Sequence, residues 1–274
     1  MLTRRALLLS SAAFARSGRI QLGVCSDAAH FEHAVRYGFD YYEPDASEIS
    51  ELSDEAFAKF KARVLASPIR CRAFRSFVRK LKVVGPDVRQ AELHAYVERT
   101  LQRCREVGAE VIVFGSSGAR NVPAGFRRDQ ASVQIRDFLR FTGGVAQRLN
   151  MVVGIEPLRR QESNILNTAV EALAMMRAVN HPGVKIIVDY YHLRQEKEDP
   201  EVIWQARRHI VHFHFANPNG RTWPKSASED SEYLHFFRLL RKMNYRRLLT
   251  LESPNGTFEA DGEAAVRFFR ELLG

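Results

Sequence analysis

Four apolar segments in the second half of the chain each finish in a side chain able to bind a metal or move a proton. Glu156 follows Val152-Val153-Gly154-Ile155, Asp189 follows Ile186-Ile187-Val188, His214 ends Val211-His212-Phe213-His214, and Glu252 follows Leu249-Thr250-Leu251. An ionised group left unpaired at the end of an apolar strand carries a large desolvation cost. Any one of them alone therefore reads as a salt-bridged structural residue, but four on successive segments read as a convergent set. Two glutamates, an aspartate and a histidine offer hard oxygen donors plus one imidazole. That set suits a single divalent ion, Mn²⁺ first and Mg²⁺ or Co²⁺ as alternatives, better than a thiolate-seeking metal. His212 shares a strand face with His214 but lies one layer deeper, where it reads as a hydrogen-bonded core residue. His209 precedes the strand and reads as a surface residue.

The elements that must position these groups alternate between strand and helix. Short apolar runs at 20–25, 39–43, 69–74, 111–114, 151–156, 184–189, 209–215 and 248–252 predict eight strands. Between them, the three-to-four spacing of apolar residues predicts helices, for example over 92–108, 129–149, 168–179, 232–243 and 259–273. Ser53 is the expected N-cap of a helix opening at Asp54, and Gly108 the expected C-terminal stop of another. Continuous apolar strands of four to six residues imply a parallel sheet covered on both faces. Eight strand–helix units in this length imply an α/β fold of the closed eight-stranded (β/α)8 TIM barrel type, spanning residues 16–274. The alternative, an open doubly wound sheet, lacks the Gly-rich phosphate turn after its first strand.

The chain has 274 residues, 45% hydrophobic and 27% charged, which excludes a disordered or low-complexity protein. Cys25, Cys71 and Cys104 are too few and scattered for a disulfide scaffold. No apolar run reaches the roughly 18 residues of a membrane span. Lysine and arginine number 41 against 32 acidic residues, a net charge of +9, without a block of like charges that would mark a nucleic-acid tail. Residues 1–15, MLTRRALLLSSAAFA, stand apart. Arg4-Arg5, an apolar stretch and Ala13-Phe14-Ala15 have the order of a signal peptide, similar to twin-arginine export signals. The expectation is an exported, periplasmic protein whose mature chain begins near Arg16.

The same residues resemble a known family. Ile155-Glu156-Pro157 followed by Arg159 and Glu162, Asp189-Tyr190-Tyr191-His192, His212-Phe213-His214 with Arg221 downstream, and Leu251-Glu252 occur in the order found in the sugar phosphate isomerase/epimerase family. Its barrel is called xylose-isomerase-like, and it includes the D-tagatose and D-psicose 3-epimerases. Residues 81–87, Leu-Lys-Val-Val-Gly-Pro-Asp, are similar to a loop common in close members. The resemblance covers the chain from about Ile20 to Leu273. It implies Glu156, Asp189, His214 and Glu252 as metal ligands, and Glu156 and Glu252 as the acid/base pair. Glu162, His192 and Arg221 are implied as groups that hold substrate hydroxyls. It also implies association into dimers or tetramers. Two departures stand out: Arg221 lies seven residues after His214, where six is the family spacing, and Arg75 replaces a small polar residue after the third strand.

Such a set can take a proton from the carbon beside a carbonyl. A divalent ion on the carbonyl and an adjacent hydroxyl stabilises the developing charge. One carboxylate removes the proton to give an enediolate, and another on the opposite face returns one and inverts the centre. A single shuttling base would give a 1,2-isomerisation instead. Other readings are a keto-inositol dehydratase-type lyase, a non-catalytic sugar-binding barrel and a metal-dependent apurinic endonuclease. The last is disfavoured because the third and fourth strands end in Phe74 and Phe114. Arg75, Arg120, Arg221 and Lys225 are expected on the loops of the metal-bearing face. There they suggest a sugar acid as substrate beside a plain sugar, since arginine makes two-point bonds to carboxylate. The competing reading pairs Arg75 with a carboxylate after the second strand, such as Glu43, neutralising both.

Overall fold

The computed structural model describes residues 18–274, so the export-signal expectation for residues 1–15 lies outside them. Eight parallel strands form the barrel: β1 (Gln21–Cys25), β2 (Tyr41–Glu43), β3 (Ala73–Phe74), β4 (Val111–Phe114), β5 (Val152–Ile155), β6 (Val184–Asp189), β7 (Ile210–Phe215) and β8 (Leu248–Leu251). Hydrogen bonding runs in the order β2-β1-β8-β7-β6-β5-β4-β3. The β2–β3 seam is closed by backbone bonds rather than a full ladder. Ala46 N donates to Arg75 O (2.8 Å), Arg75 N to Pro44 O (3.2 Å) and Tyr42 N to Arg70 O (3.0 Å). This is the (β/α)8 barrel that the strand–helix alternation predicts, with β3 shorter than the expected 69–74 segment. Among the described residues no helix is long and apolar enough to cross a membrane.

Local chemistry sets several boundaries as expected. Ser53 Oγ accepts from Ala56 N at 3.1 Å and opens the helix Asp54–Ala66. Gly108 takes φ +111 just past Gln90–Glu106. Three short helices were not anticipated: Ala46–Glu51, Ser117–Arg120 and Tyr190–Gln195. Each follows a strand end on the same face of the barrel, after β2, β4 and β6. The last is capped by a site residue, since Asp189 Oδ1 accepts from Tyr191 N at 2.6 Å.

Side chains alternate along each strand, so every second residue enters the barrel. An apolar plug of Tyr41, Ala73, Val111, Val113, Val152, Ile187, Val211 and Leu248 fills the interior. A larger core lies between strands and helices. Gly23 makes room for the plug: a Cβ there would lie 2.3 Å from the Tyr41 ring. In the β6–β7 ladder Ile186 pairs with Ile210 but Ile187 with His212, so Val211 is an extra residue. This bulge brings both Val211 and His212 to the interior. Above the plug, at the C-terminal ends of the strands, the inward positions are Glu43, Arg75, Gly115, Glu156, Asp189, His214 and Glu252. That layer is the site.

Candidate active site

Glu156, Asp189, His214 and Glu252 arrive from four adjacent strands. Each offers a donor atom, and all these atoms lie within 4.8 Å of one another. His214 Nδ1 is 2.9 Å from Glu156 Oε1 and 3.3 Å from Glu252 Oε2. Asp189 Oδ2 is buried without a hydrogen-bond partner, an arrangement that suits a bound cation. Gly115 forms the wall behind Glu156: a Cβ there would sit 2.2 Å from Oε2. Three carboxylates and an imidazole, an orphaned oxygen and a cradle cleared of side chain all fit a divalent ion. Cys25 with Glu43 and His214 forms a second group of possible ligands. There, however, burial, and then the Glu43 charge, push the Cys25 thiol well above its ordinary value and keep it protonated.

The electrostatics of the cluster are strongly coupled. Burial pushes the Asp189 carboxyl up to about 7, opposed by Arg221 and reinforced by Glu252 and Glu156. Burial also opposes ionisation of Glu252, but His214, Arg221 and Arg75 outweigh it and hold that carboxyl well below its usual range. Likewise His214 stays cationic against burial because Glu43, Glu252 and Glu156 surround it.

Arg221 reaches the site despite its extra residue of spacing. Gly220 (φ +77) and Arg221 (φ +49) both take left-handed backbone and turn the loop inward. Arg221 Nη2 then lies 3.0 Å from Glu252 Oε2, and Nη1 lies 3.4 Å from Glu162 Oε1. Its guanidinium lies 4.7 Å from the Tyr191 ring centre. Its Nε has no partner. His192 is also set for a ligand. Its Nδ1 accepts from Arg159 N at 3.3 Å, which leaves the proton on Nε2. Nε2 is buried and unpartnered, 3.6 Å from Asp189 Oδ2 and 3.9 Å from Glu162 Oε2. Burial, then Arg221, keep this imidazole neutral. Glu162 is braced by Arg159 Nε at 2.7 Å. A cavity of about 400 Å³ opens over this layer, bounded by Arg75, Gly115, Glu156, Glu162, Arg221 and Glu252.

The mouth cations are engaged by the protein's own groups. Arg75 pairs with a carboxylate just after β2, as the competing reading expects, but the partner is Asp45 and not Glu43. Its Nε lies 2.9 Å from Asp45 and its Nη1 3.2 Å from Glu252 Oε1. Arg120 is fully buried in the helix Ser117–Arg120 and donates to Phe114 O (2.9 Å) and Leu166 O (3.3 Å). Burial pushes it down to about 10, and it braces the wall behind the site instead of lining the mouth. Lys225 is paired with Asp261 at 2.5 Å.

Sequence reasoning passed over Glu43 as a site residue. It is fully buried at the end of β2, in the same layer as the cluster. Its Oε1 accepts from His214 Nε2 at 2.9 Å, and its Oε2 is 2.8 Å from His212 Nε2. Thr250 Oγ1 donates to Oε2 at 2.5 Å and therefore accepts from Tyr41 OH, also 2.5 Å away. His212 Nδ1 donates to Leu248 O at 3.2 Å. Burial opposes the Glu43 charge, but His212 and His214 outweigh it and hold the carboxyl far below its usual range. The signal was present: Glu43 ends β2 as Asp189 ends β6.

A ring of carboxylates at the C-terminal mouth of a parallel barrel, with side chains able to hold a metal ion, defines an enzyme of the TIM-barrel class. The family model described as xylose isomerase-like TIM barrel matches residues 31–272, and the chain belongs to that family. A probable ketose 3-epimerase of Synechocystis is 25% identical over 232 residues, 82% of this chain and 77% of the relative. The 3-dehydro-D-guloside 4-epimerase of Escherichia coli is 28% identical over 231 residues, 81% of this chain and 85% of the relative. The crystal structure of an Escherichia coli 3-keto-D-glucoside 4-epimerase superposes with a TM-score of 0.78 at 21% identity, covering 93% of this chain and 99% of that one. The protein is an enzyme of the sugar epimerase/isomerase group.

Proposed function

We propose that the protein is a divalent-metal-dependent sugar epimerase that inverts a carbon next to a carbonyl by proton transfer between Glu156 and Glu252. The observation that carries this reading is the convergence of the four strand-end ligands around the orphaned Asp189 oxygen. Glu156, Asp189, His214 and Glu252 would hold the ion, with Mn²⁺ best suited and Mg²⁺ or Co²⁺ as alternatives. When bound, it would supply Lewis-acid stabilisation of charge on the substrate carbonyl oxygen.

The chain's own residues do the rest. Glu252 is kept ionised by His214 and two guanidinium groups, so it can accept a proton. Glu156, which arrives from β5 where Glu252 arrives from β8, returns one to the opposite face. The Nε2–H of His192 and the unpartnered Nε of Arg221 are donors for sugar hydroxyls, and Glu162 is the matching acceptor. The names of the relatives support a ketose or a 3-keto sugar as the substrate class. We further propose that residues 1–15 direct export to the periplasm.

The test is a screen of the Mn²⁺-loaded protein against free ketoses and 3-keto glycosides in D₂O, followed by NMR. Deuterium should enter at the carbon beside the carbonyl. Glu156→Gln and Glu252→Gln should each lower turnover by about 10²–10⁴-fold. A fully active Glu252→Gln variant would sink the two-base mechanism.

A further inference from the structure

The end of the barrel opposite the carboxylates gathers cations. A recess of about 630 Å³ opens there where the chain enters β7 and β8. Four of its nine lining residues are arginines, Arg207, Arg208, Arg246 and Arg247, and none is acidic. Lys242 joins them through Trp204. Its ammonium lies 4.5 Å from the centre of that ring, and the Arg207 guanidinium 4.2 Å from it. Lys185, near the start of β6, adds a half-buried ammonium. Burial, then the Arg247 charge, push it below its ordinary value.

The pairing of these cations differs from that at the catalytic mouth. Arg75, Arg79 and Arg221 each face a carboxylate there. Among the described residues, Arg207, Arg208, Arg246 and Lys185 make no ion pair with one. Two of them are instead oriented by backbone: Arg207 donates to Trp204 O at 2.7 Å and Arg246 to Tyr245 O at 3.0 Å. Each spends one of five donors that way. Like charges gathered in a concave recess repel one another and focus a positive potential, which a bound anion relieves. Guanidinium forks match the spacing of phosphoryl oxygens.

We propose that this recess is a binding site for a phosphoryl group, carried by a small metabolite or by an anionic lipid headgroup. At roughly 3.3 Å per strand residue, Arg208 lies about 20 Å from His214 along β7, so such a ligand does not touch the proposed metal ligands. Its binding is therefore separable from the catalytic reading.

The test titrates inorganic phosphate, at ionic strength held constant with chloride, into the metal-loaded full chain. Trp204 fluorescence and thermal unfolding report binding. A parallel arm measures co-sedimentation with phosphatidylglycerol vesicles against pure phosphatidylcholine vesicles. The double variant Arg208→Gln/Arg246→Gln should weaken the response at least tenfold, while Arg208→Lys/Arg246→Lys, which keeps the charge, should retain most of it. A response to phosphate identifies a free metabolite as the source, and a response to vesicles alone identifies the lipid. The proposal is overturned if neither probe binds, or if the glutamine variant, still folded by circular dichroism, responds as wild type does.

Discussion

Replacing Glu43 with glutamine should weaken metal binding without touching any ligand. The side chain keeps its volume, but one oxygen becomes an NH₂ that can only donate. Glu43 now accepts from His214 Nε2 at 2.9 Å, meets His212 Nε2 at 2.8 Å and accepts from Thr250 at 2.5 Å. Glutamine offers one acceptor for these neighbours. If the amide nitrogen faces His214, Nε2 must become an acceptor and the ring proton moves to Nδ1. Nδ1 is the nitrogen that points at Glu156 and Glu252, and once protonated it cannot bind a metal. If the nitrogen faces His212 and Thr250 instead, both lose their acceptor inside a fully buried layer. A carboxylate that orients a metal-binding histidine is typically worth 10–100-fold in affinity, or about 1.4–2.7 kcal/mol.

Mn²⁺ titration followed by calorimetry or by EPR reads this directly. Circular dichroism should show that the variant still folds. Glu43→Asp, which keeps the charge but shortens the reach, should recover part of the affinity. A folded Glu43→Gln protein that binds Mn²⁺ within twofold of wild type would refute the positioning role.

Two further outcomes follow from the same site and from the N-terminus. Mn²⁺ affinity should fall as the pH drops, because binding displaces a proton from the cationic His214 and, below about pH 7, a second one from the Asp189 carboxyl. Each competing proton gives about a tenfold loss per pH unit, so a flat profile between pH 6 and 8 contradicts the assignment. Mass spectrometry of protein from the native host should find an N-terminus near Arg16 in the periplasmic fraction; intact Met1 in the cytosol rules export out.

The barrel and its four strand-end ligands were legible because strand period and apolar runs place alternate residues on one side. A carboxylate that ends such a run therefore has its direction set by the backbone. The same logic applies to Glu43, but β2 is only three residues long and carries Tyr41 and Tyr42, which disguise the alternation. Arg120 was misread for a different reason. Position after β4 correctly put it on the catalytic side of the barrel, but the short helix Ser117–Arg120 turns it into the wall, where it satisfies two carbonyls. Loop direction depends on such local turns, and the sequence 115–121 carries no periodic signal for them. The left-handed pair at Gly220 and Arg221 is similarly unreadable beyond the glycine.

Arg75 bears on which sugars the site accepts. It enters at the β2–β3 seam, where its own backbone closes the barrel, and its guanidinium joins Asp45 to Glu252. Arg79 also pairs with Asp45, and Arg221 with Glu252 and Glu162. The cations of the mouth are thus matched by the chain's own carboxylates, and an acidic substrate would have to displace one of them. A neutral sugar meets no such cost. Arg75 then acts by fixing Glu252, so Arg75→Met should lower kcat for neutral sugars by about 10²-fold, the scale of an ångström-level misplacement of a reacting group. KM should change little, because ground-state binding is not what is lost. Steady-state kinetics on matched neutral and acidic sugars decides the matter. A KM increase confined to the acidic sugar, with kcat preserved, would show instead that Arg75 grips the substrate.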